Sequence, residues 1–184
     1  MNTVVTSKED ILKASRELIR KQVCSVINIR SVAAACGVSV GSIYNYFDSK
    51  AELEGATIES IWYEIFQCKG SEVFKDTQDY IRWMYNQMEY GCQQYPGFFT
   101  FHSLSFMYED KSSAKWRMQR VWQYIIDRLC CVLKQDKRIR IDAFTKQFTV
   151  EKFADVLFSL ILSNLLKKDY NPATVLEIIN RTIY

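Results

Sequence analysis

Histidine occurs once in the 184 residues, at His102, and none of the six cysteines (Cys24, Cys36, Cys68, Cys92, Cys130 and Cys131) stands in a C-x-x-C pair. A zinc centre of ordinary ligand spacing is not expected from such a set. The cysteines read as reduced, mostly buried small hydrophobes. Glycine and proline are scarce, at 6 and 2, which excludes collagen-like and linker-like chains. There is no G-x-S-x-G segment and no phosphate loop. With one histidine and no ligand cluster, the case for an enzyme with a helical substrate cavity is thin; no catalytic residue, metal or cofactor is expected. The longest apolar stretch, residues 153–166, is interrupted by Asp155, Ser159, Ser163 and Asn164 and is too short to span a bilayer. The opening MNTVVTSKEDILKAS lacks the basic and apolar regions of a secretory signal. A cytoplasmic protein without a membrane partner is the expectation.

Against these absences stand 48% hydrophobic, 24% charged and 14% aromatic residues. That balance excludes a disordered chain, and the length suits one domain or a small module joined to a medium one. The formal charge of +3 neither advertises nor excludes a nucleic-acid partner, although most of the excess lies in the first fifty residues. Eleven Tyr, eleven Phe and four Trp exceed what a small core needs, so some are expected to border a cavity.

The patterning is helical almost throughout, and the predicted class is all-α. Ser7, with Asp10 three residues on, is a capping signal before Ile11, Ala14, Leu18 and Ile19 at helical spacing. Asn28 is a cap for a short second helix carrying Val32 and Ala33, which stops at Gly37. Ser39 caps a third, from Val40 to about Phe47. Asp48 or Ser49 starts a fourth, with Leu53, Ile58, Ile61, Trp62, Ile65 and Phe66 inward. Asp76 caps a fifth that ends at Pro96-Gly97. Phe98 to Tyr108 reads as a short aromatic helix. Met118, Val121, Ile125, Leu129 and Leu133 mark a long amphipathic helix. Lys137 to Asp142 alternates like a strand, but a lone strand has no partner, so it is read as a connection. Phe148 to Lys168 is a helix that is apolar nearly all round, and Asn171-Pro172 starts a last one.

The informative segment is Ile29 to Lys50, IRSVAAACGVSVGSIYNYFDSK. A small, Ala-rich helix admits close approach, a four-residue turn around Gly37 reverses the chain, and a second short helix follows. This is helix-turn-helix grammar, in which the second helix enters the major groove. Ser39, Val40, Gly41 and Ser42 then stand toward base edges, while Ile43 and Phe47 face inward. Tyr44, Tyr46 and Lys50 can reach phosphates, with Tyr46 also expected to pack partly in the core, and Asn45 can pair with an adenine edge.

The string A-x-x-x-G-V-S-x-G-x-x-Y-x-Y-F-x-S-K is carried by Ala33, Gly37, Val38, Ser39, Gly41, Tyr44, Tyr46, Phe47, Ser49 and Lys50. With its flanks it resembles the TetR family of bacterial transcriptional regulators over about residues 7–66. The resemblance implies a helix-turn-helix module over residues 1–50, a connecting helix over about 48–69, and a helical ligand-binding and dimerisation domain over residues 51–184. Family DNA contacts carried over are Arg30 or Ser31, Ser39, Val40, Ser42, Tyr44, Asn45 and Lys50. Position 40, often Lys in the family, is Val here, so a phosphate or guanine contact is replaced by possible apolar contact with a thymine methyl.

The implied partners are double-stranded DNA with a pseudo-palindromic operator, a second copy of the chain, and an apolar or aromatic small-molecule effector that releases a repressor from its operator. Trp62, Phe66, Tyr85, Met88, Phe99, His102, Phe106 and Trp122 are the candidate pocket residues. Phe153, Leu157, Leu160, Ile161 and Leu165, with Val175, Ile179 and Ile183, form more apolar surface than a small domain covers, and are the expected dimer interface. The alternatives are the helical-cavity enzyme and a DNA-binding protein without an inducer.

Overall fold

The computed structural model describes residues 6–21, 27–67, 73–96 and 112–184, the side chains of the last stretch from Trp116 onward. The described residues form eight helices and no strand: α1 Lys8–Lys21, α2 Ile29–Cys36, α3 Val40–Tyr44, α4 Lys50–Phe66, α5 Thr77–Gln94, α6 Ser112–Gln135, α7 Val150–Lys167 and α8 Ala173–Ile183. The all-α class is as read from the sequence. The aromatic segment Phe98–Tyr108 and the helix end near Gly70 lie outside the described residues. Residues 137–142 form turns, as a lone alternating segment must without a strand to pair with.

Helix starts follow local side-chain chemistry. The Ser7 Oγ accepts the Asp10 N–H at 3.1 Å and Asp10 returns a carboxylate oxygen to the Ser7 N–H at 3.2 Å, closing a capping box before α1. The Ser49 Oγ accepts the Glu52 N–H at 3.1 Å, and the Asp48 N–H donates to the Glu52 carboxylate at 2.6 Å, the same device before α4. Asp76 does this for Asp79 at 2.8 Å and Thr149 for Lys152 at 3.3 Å. Pro172 already has helical backbone angles (φ −76°, ψ −6°), and the Asn171 side-chain Oδ1 accepts the Ala173 N–H at 2.9 Å. Asn171 is therefore the working cap, with proline at the first helical position.

The chain divides into two compact units, Met1–Glu64 with Cys92–Gln119, and Ile65–Gly91 with Arg120–Tyr184. In the first unit Ile11, Ile19, Val32, Ile43, Phe47, Leu53 and Ile61 are buried. In the second the buried set includes Ile81, Met84, Tyr85, Met88, Leu129, Phe153, Leu157 and Ile179. Asp136 joins three segments of this second unit: the start of α5, the turn after α6 and the last residue. Its carboxylate accepts the Thr77 N–H at 2.8 Å, the Arg138 N–H at 3.0 Å and the Tyr184 hydroxyl. Burial alone would push Asp136 up, but these donors outweigh it and hold the carboxyl below its ordinary range.

Candidate nucleic-acid interface

Three local devices build the turn between α2 and α3. The Asn28 side chain accepts the Arg30 N–H at 2.9 Å and starts α2. Gly37 ends it at φ 67°, a left-handed angle that costs a side-chain-bearing residue but not glycine. There the Gly37 N–H donates to the Ala34 carbonyl at 3.1 Å and the Val38 N–H to the Ala33 carbonyl at 3.0 Å, closing off α2. The Ser39 Oγ accepts the Ser42 N–H at 3.1 Å and starts α3. The chain thus reverses between Cys36 and Val40, and Val32, Ala33, Ile43 and Phe47 are buried on the inner side.

What α3 leaves outside is the candidate surface. Gly41, Tyr44, Asn45 and Tyr46 are exposed, and Val40 and Ser42 are half-buried. Arg30 is exposed and Ser31 half-buried at the start of α2. The Ser39 and Ser42 hydroxyls lie 2.9 Å apart. Lys50, exposed, pairs loosely with Glu54 at 3.4 Å. An i,i+4 pair of that kind is worth about 0.3–0.5 kcal/mol and yields readily to a phosphate.

Tyr46 is tied into the module, in keeping with partial core packing. Its hydroxyl donates to the backbone carbonyl of Thr6 at 2.5 Å, which commits its proton within the protein. It enters the site as a brace between the end of α3 and the chain entering α1. Tyr44, 47% exposed, is the tyrosine left facing solvent. Sequence reasoning missed Lys8, whose ammonium lies 5.0 Å from the centroid of the buried Phe47 ring at the edge of this surface. It also understated the charge. Lys8, Lys13, Arg16, Arg20, Lys21, Arg30 and Lys50 stand against Glu9, Asp10, Glu17 and Asp48 in residues 1–50. That excess of three equals the formal charge of the whole chain. Burial pushes the thiol of Cys36, next to the turn, above its ordinary value, away from the thiolate form.

The other expected sites are placed as follows. Trp62 is buried in the first unit, and Phe66, Tyr85 and Met88 in the second. The Tyr85 hydroxyl accepts from the Asn164 amide at 2.6 Å. Trp122, half-buried, has its ring 6.0 Å from Phe158 and its indole N–H buried without an acceptor. Phe99, His102 and Phe106 lie outside the described residues. The residues expected at a dimer interface lie mostly inside the chain. Phe153, Leu157, Ile161, Leu165, Val175, Ile179 and Ile183 are all buried within the chain, because their i,i+4 stripes face its own core. Leu160 alone of that set is part of the outward side of α7, where Val156 is 49% exposed and Ser159 is also exposed.

Comparison with known proteins agrees with this geometry. Residues 11–57 match the sequence profile of "Bacterial regulatory proteins, tetR family". The resemblance carried by the turn and α3 is borne out by that match. No curated protein matches the sequence. A putative transcriptional regulator from Rhodococcus sp. RHA1 superposes with a TM-score of 0.68 at 14% identity, over 96% of this chain and 94% of that one. Reduced NemR of E. coli gives 0.64 at 17%, over 96% and 97%. A TetR variant from Acinetobacter baumannii AYE, in complex with minocycline, gives 0.53 at 15%, over 97% and 84%. At these identities the likeness beyond residue 57 is one of fold.

Proposed function

We propose that this chain is a DNA-binding transcriptional regulator of the TetR family, and that it acts as a ligand-responsive repressor. The observation that carries the DNA-binding reading is the outward side of α3. In a module matching the family profile, Ile43 and Phe47 are buried while Gly41, Tyr44 and Asn45 face solvent beside Arg30 and Lys50. Val40, Ser42 and Asn45 then read base edges, and Tyr44, Lys50 and Arg30 or Ser31 hold phosphates. Ser39 positions α3 through its cap. Two such modules in one dimer engage successive major grooves about 34–36 Å apart on a pseudo-palindromic site. The outward stripe of α7, Val156 with Leu160, Ser159 and Ser163, supports a face for that self-association, with the seven core residues behind it. A regulator of this kind works beside the chromosome, in the cytoplasm.

The effector reading has separate support. A relative of the same fold is held in complex with minocycline, and the second unit buries a Trp122 indole N–H that lacks an acceptor. A buried donor without a partner costs about 1–3 kcal/mol, and an effector carrying a carbonyl or ring oxygen would remove that cost. By binding one conformation better than the other, such a molecule shifts the population away from the DNA-competent form.

The test is binding to the intergenic DNA upstream of its own gene by fluorescence anisotropy across a salt series. The log of the affinity should fall linearly with log salt, by about 0.9 per phosphate neutralised. Absence of any salt-dependent binding by the purified dimer ends the reading.

A further inference from the structure

Helix α1 packs on α2, and so bears directly on the placement of the recognition helix. On its other side α1 carries two arginines that converge on one carboxylate. The Arg16 Nε lies 2.8 Å from Glu64 Oε2, and an Arg20 terminal nitrogen pairs with Glu64 Oε1. Glu64 is near the end of α4. The same Oε1 accepts the hydroxyl of Tyr95 at 3.2 Å, from the residue that follows α5. Arg20 also lies over the Tyr95 ring, 4.9 Å from its centroid, and reaches Glu17 at 2.5 Å. All these groups are in the first compact unit.

Two features distinguish this cluster from a decorative surface ion pair. Tyr95 is only 1% exposed, so the ring and its hydroxyl are held by packing and not by solvent. In addition, the Arg20 Nε–H is buried without an acceptor. The guanidinium thus keeps its place over Tyr95 and against Glu64 while one of its donors is unpaired. A planar guanidinium that stacks and pairs at once fixes direction as well as distance. Glu64 accepts from three donors on two other segments, so a change at the end of α5 is felt at α1 through one carboxylate.

Resting on the DNA-binding reading above, we infer that Tyr95 and Glu64 are positioning residues for the DNA-binding module: they set the tilt of α1 on α4, and through α1 the presentation of α2 and α3, without touching DNA. The structure thereby makes the end of α5 an input to DNA affinity.

The experiment uses the full-length protein with a duplex selected from a random double-stranded library by the wild type. Tyr95→Phe and Glu64→Gln are compared singly and together, well below their thermal midpoints. Each single change should weaken binding about fivefold or more, the range of an ordinary coupling between sites. The double change should be no worse than the larger single one, because both act through one cluster. The slope of log affinity against log salt should stay at the wild-type value, since no phosphate contact is lost. Wild-type affinity in a variant with a lowered melting midpoint shows a stability role only, and overturns the inference. Should the wild type select no duplex, the DNA-binding reading fails, and amide exchange decides the inference separately. Tyr95→Phe should then speed exchange in α1 about tenfold or more while leaving α7 unchanged; equal acceleration in both helices, or none, sinks it.

Discussion

The hydroxyl of Tyr46, just past α3, donates to the backbone carbonyl of Thr6 at 2.5 Å, while Tyr44, the last residue of α3, is 47% exposed. Two tyrosines of one motif therefore do different work. Tyr44→Phe should weaken binding to all duplexes alike, by about 1 kcal/mol for one lost phosphate hydrogen bond, with no change in melting midpoint. Tyr46→Phe should lower the midpoint by about 2–4 °C, since a net hydrogen bond of about 1 kcal/mol is lost from the fold. Anisotropy titrations paired with thermal melts separate the two, and equal affinity losses without a melting difference would refute the assignment.

Arg117, on α6, bridges two carboxylates of α4, Glu59 at 3.0 Å and Glu52 at 3.3 Å. Its arm crosses Gly55, whose absent Cβ would stand 3.5 Å from the Arg117 Cδ, an ordinary contact. Gly55→Ala should therefore be tolerated, and stabilising by up to about 1 kcal/mol through helix propensity. Arg117→Ala should cost about 1–2 kcal/mol in urea unfolding, because two partly buried carboxylates each lose a charged partner. Arg117→Lys should recover only part of this, as an ammonium lacks the planar fork that reaches both. Full rescue by lysine would show that charge alone matters there.

Asp136 predicts an acid limit to stability. Its carboxyl is held below the ordinary range in the folded chain, so below that range the unfolded chain binds the proton more readily. The contribution is thus complete above the unfolded value of about 3.9 and is lost as the pH falls through the depressed folded value. Melting midpoints followed from pH 7 downward should drop steeply only below about pH 4. Asp136→Asn should abolish this part of the drop and cost about 2–3 kcal/mol at neutral pH, because an amide N–H would replace an acceptor facing donors.

Two left-handed residues end helices, and they should respond oppositely. Gly37 has φ 67° and Lys168 has φ 56°. Gly37→Ala imposes a side chain on that angle and should cost about 1 kcal/mol. Lys168→Gly relieves the same strain after α7 and should add about 0.5–1 kcal/mol. Urea midpoints at constant slope measure both; a neutral Gly37→Ala would mean that the turn relaxes to another geometry.

Much of the fold was legible because helix ends are local. Ser7 with Asp10, Asn28, Gly37, Ser39, Asp76 and Asn171-Pro172 each act within four residues of themselves, and each does so in the structure. The turn of the candidate interface was legible for the same reason. The inward stripes of α7 and α8 were equally legible as apolar, but periodicity does not say what covers a stripe. Phe153, Leu157 and Ile179 meet their own chain, whereas Val156 and Leu160 stand on the outward side of α7.

The amino-acid order alone determined the all-α class, the caps, the reversal at Gly37 and the outward set on α3, since propensity, capping and a 3.6-residue period depend on near neighbours. Only the tertiary structure decided that Tyr46 serves Thr6, that Arg16, Arg20 and Tyr95 share Glu64, and that Asp136 ties Thr77 to Tyr184. Those partners are between 31 and 59 residues apart. A polar side chain takes whichever donor or acceptor the packing of distant helices brings within about 3 Å, and no local pattern encodes that distance.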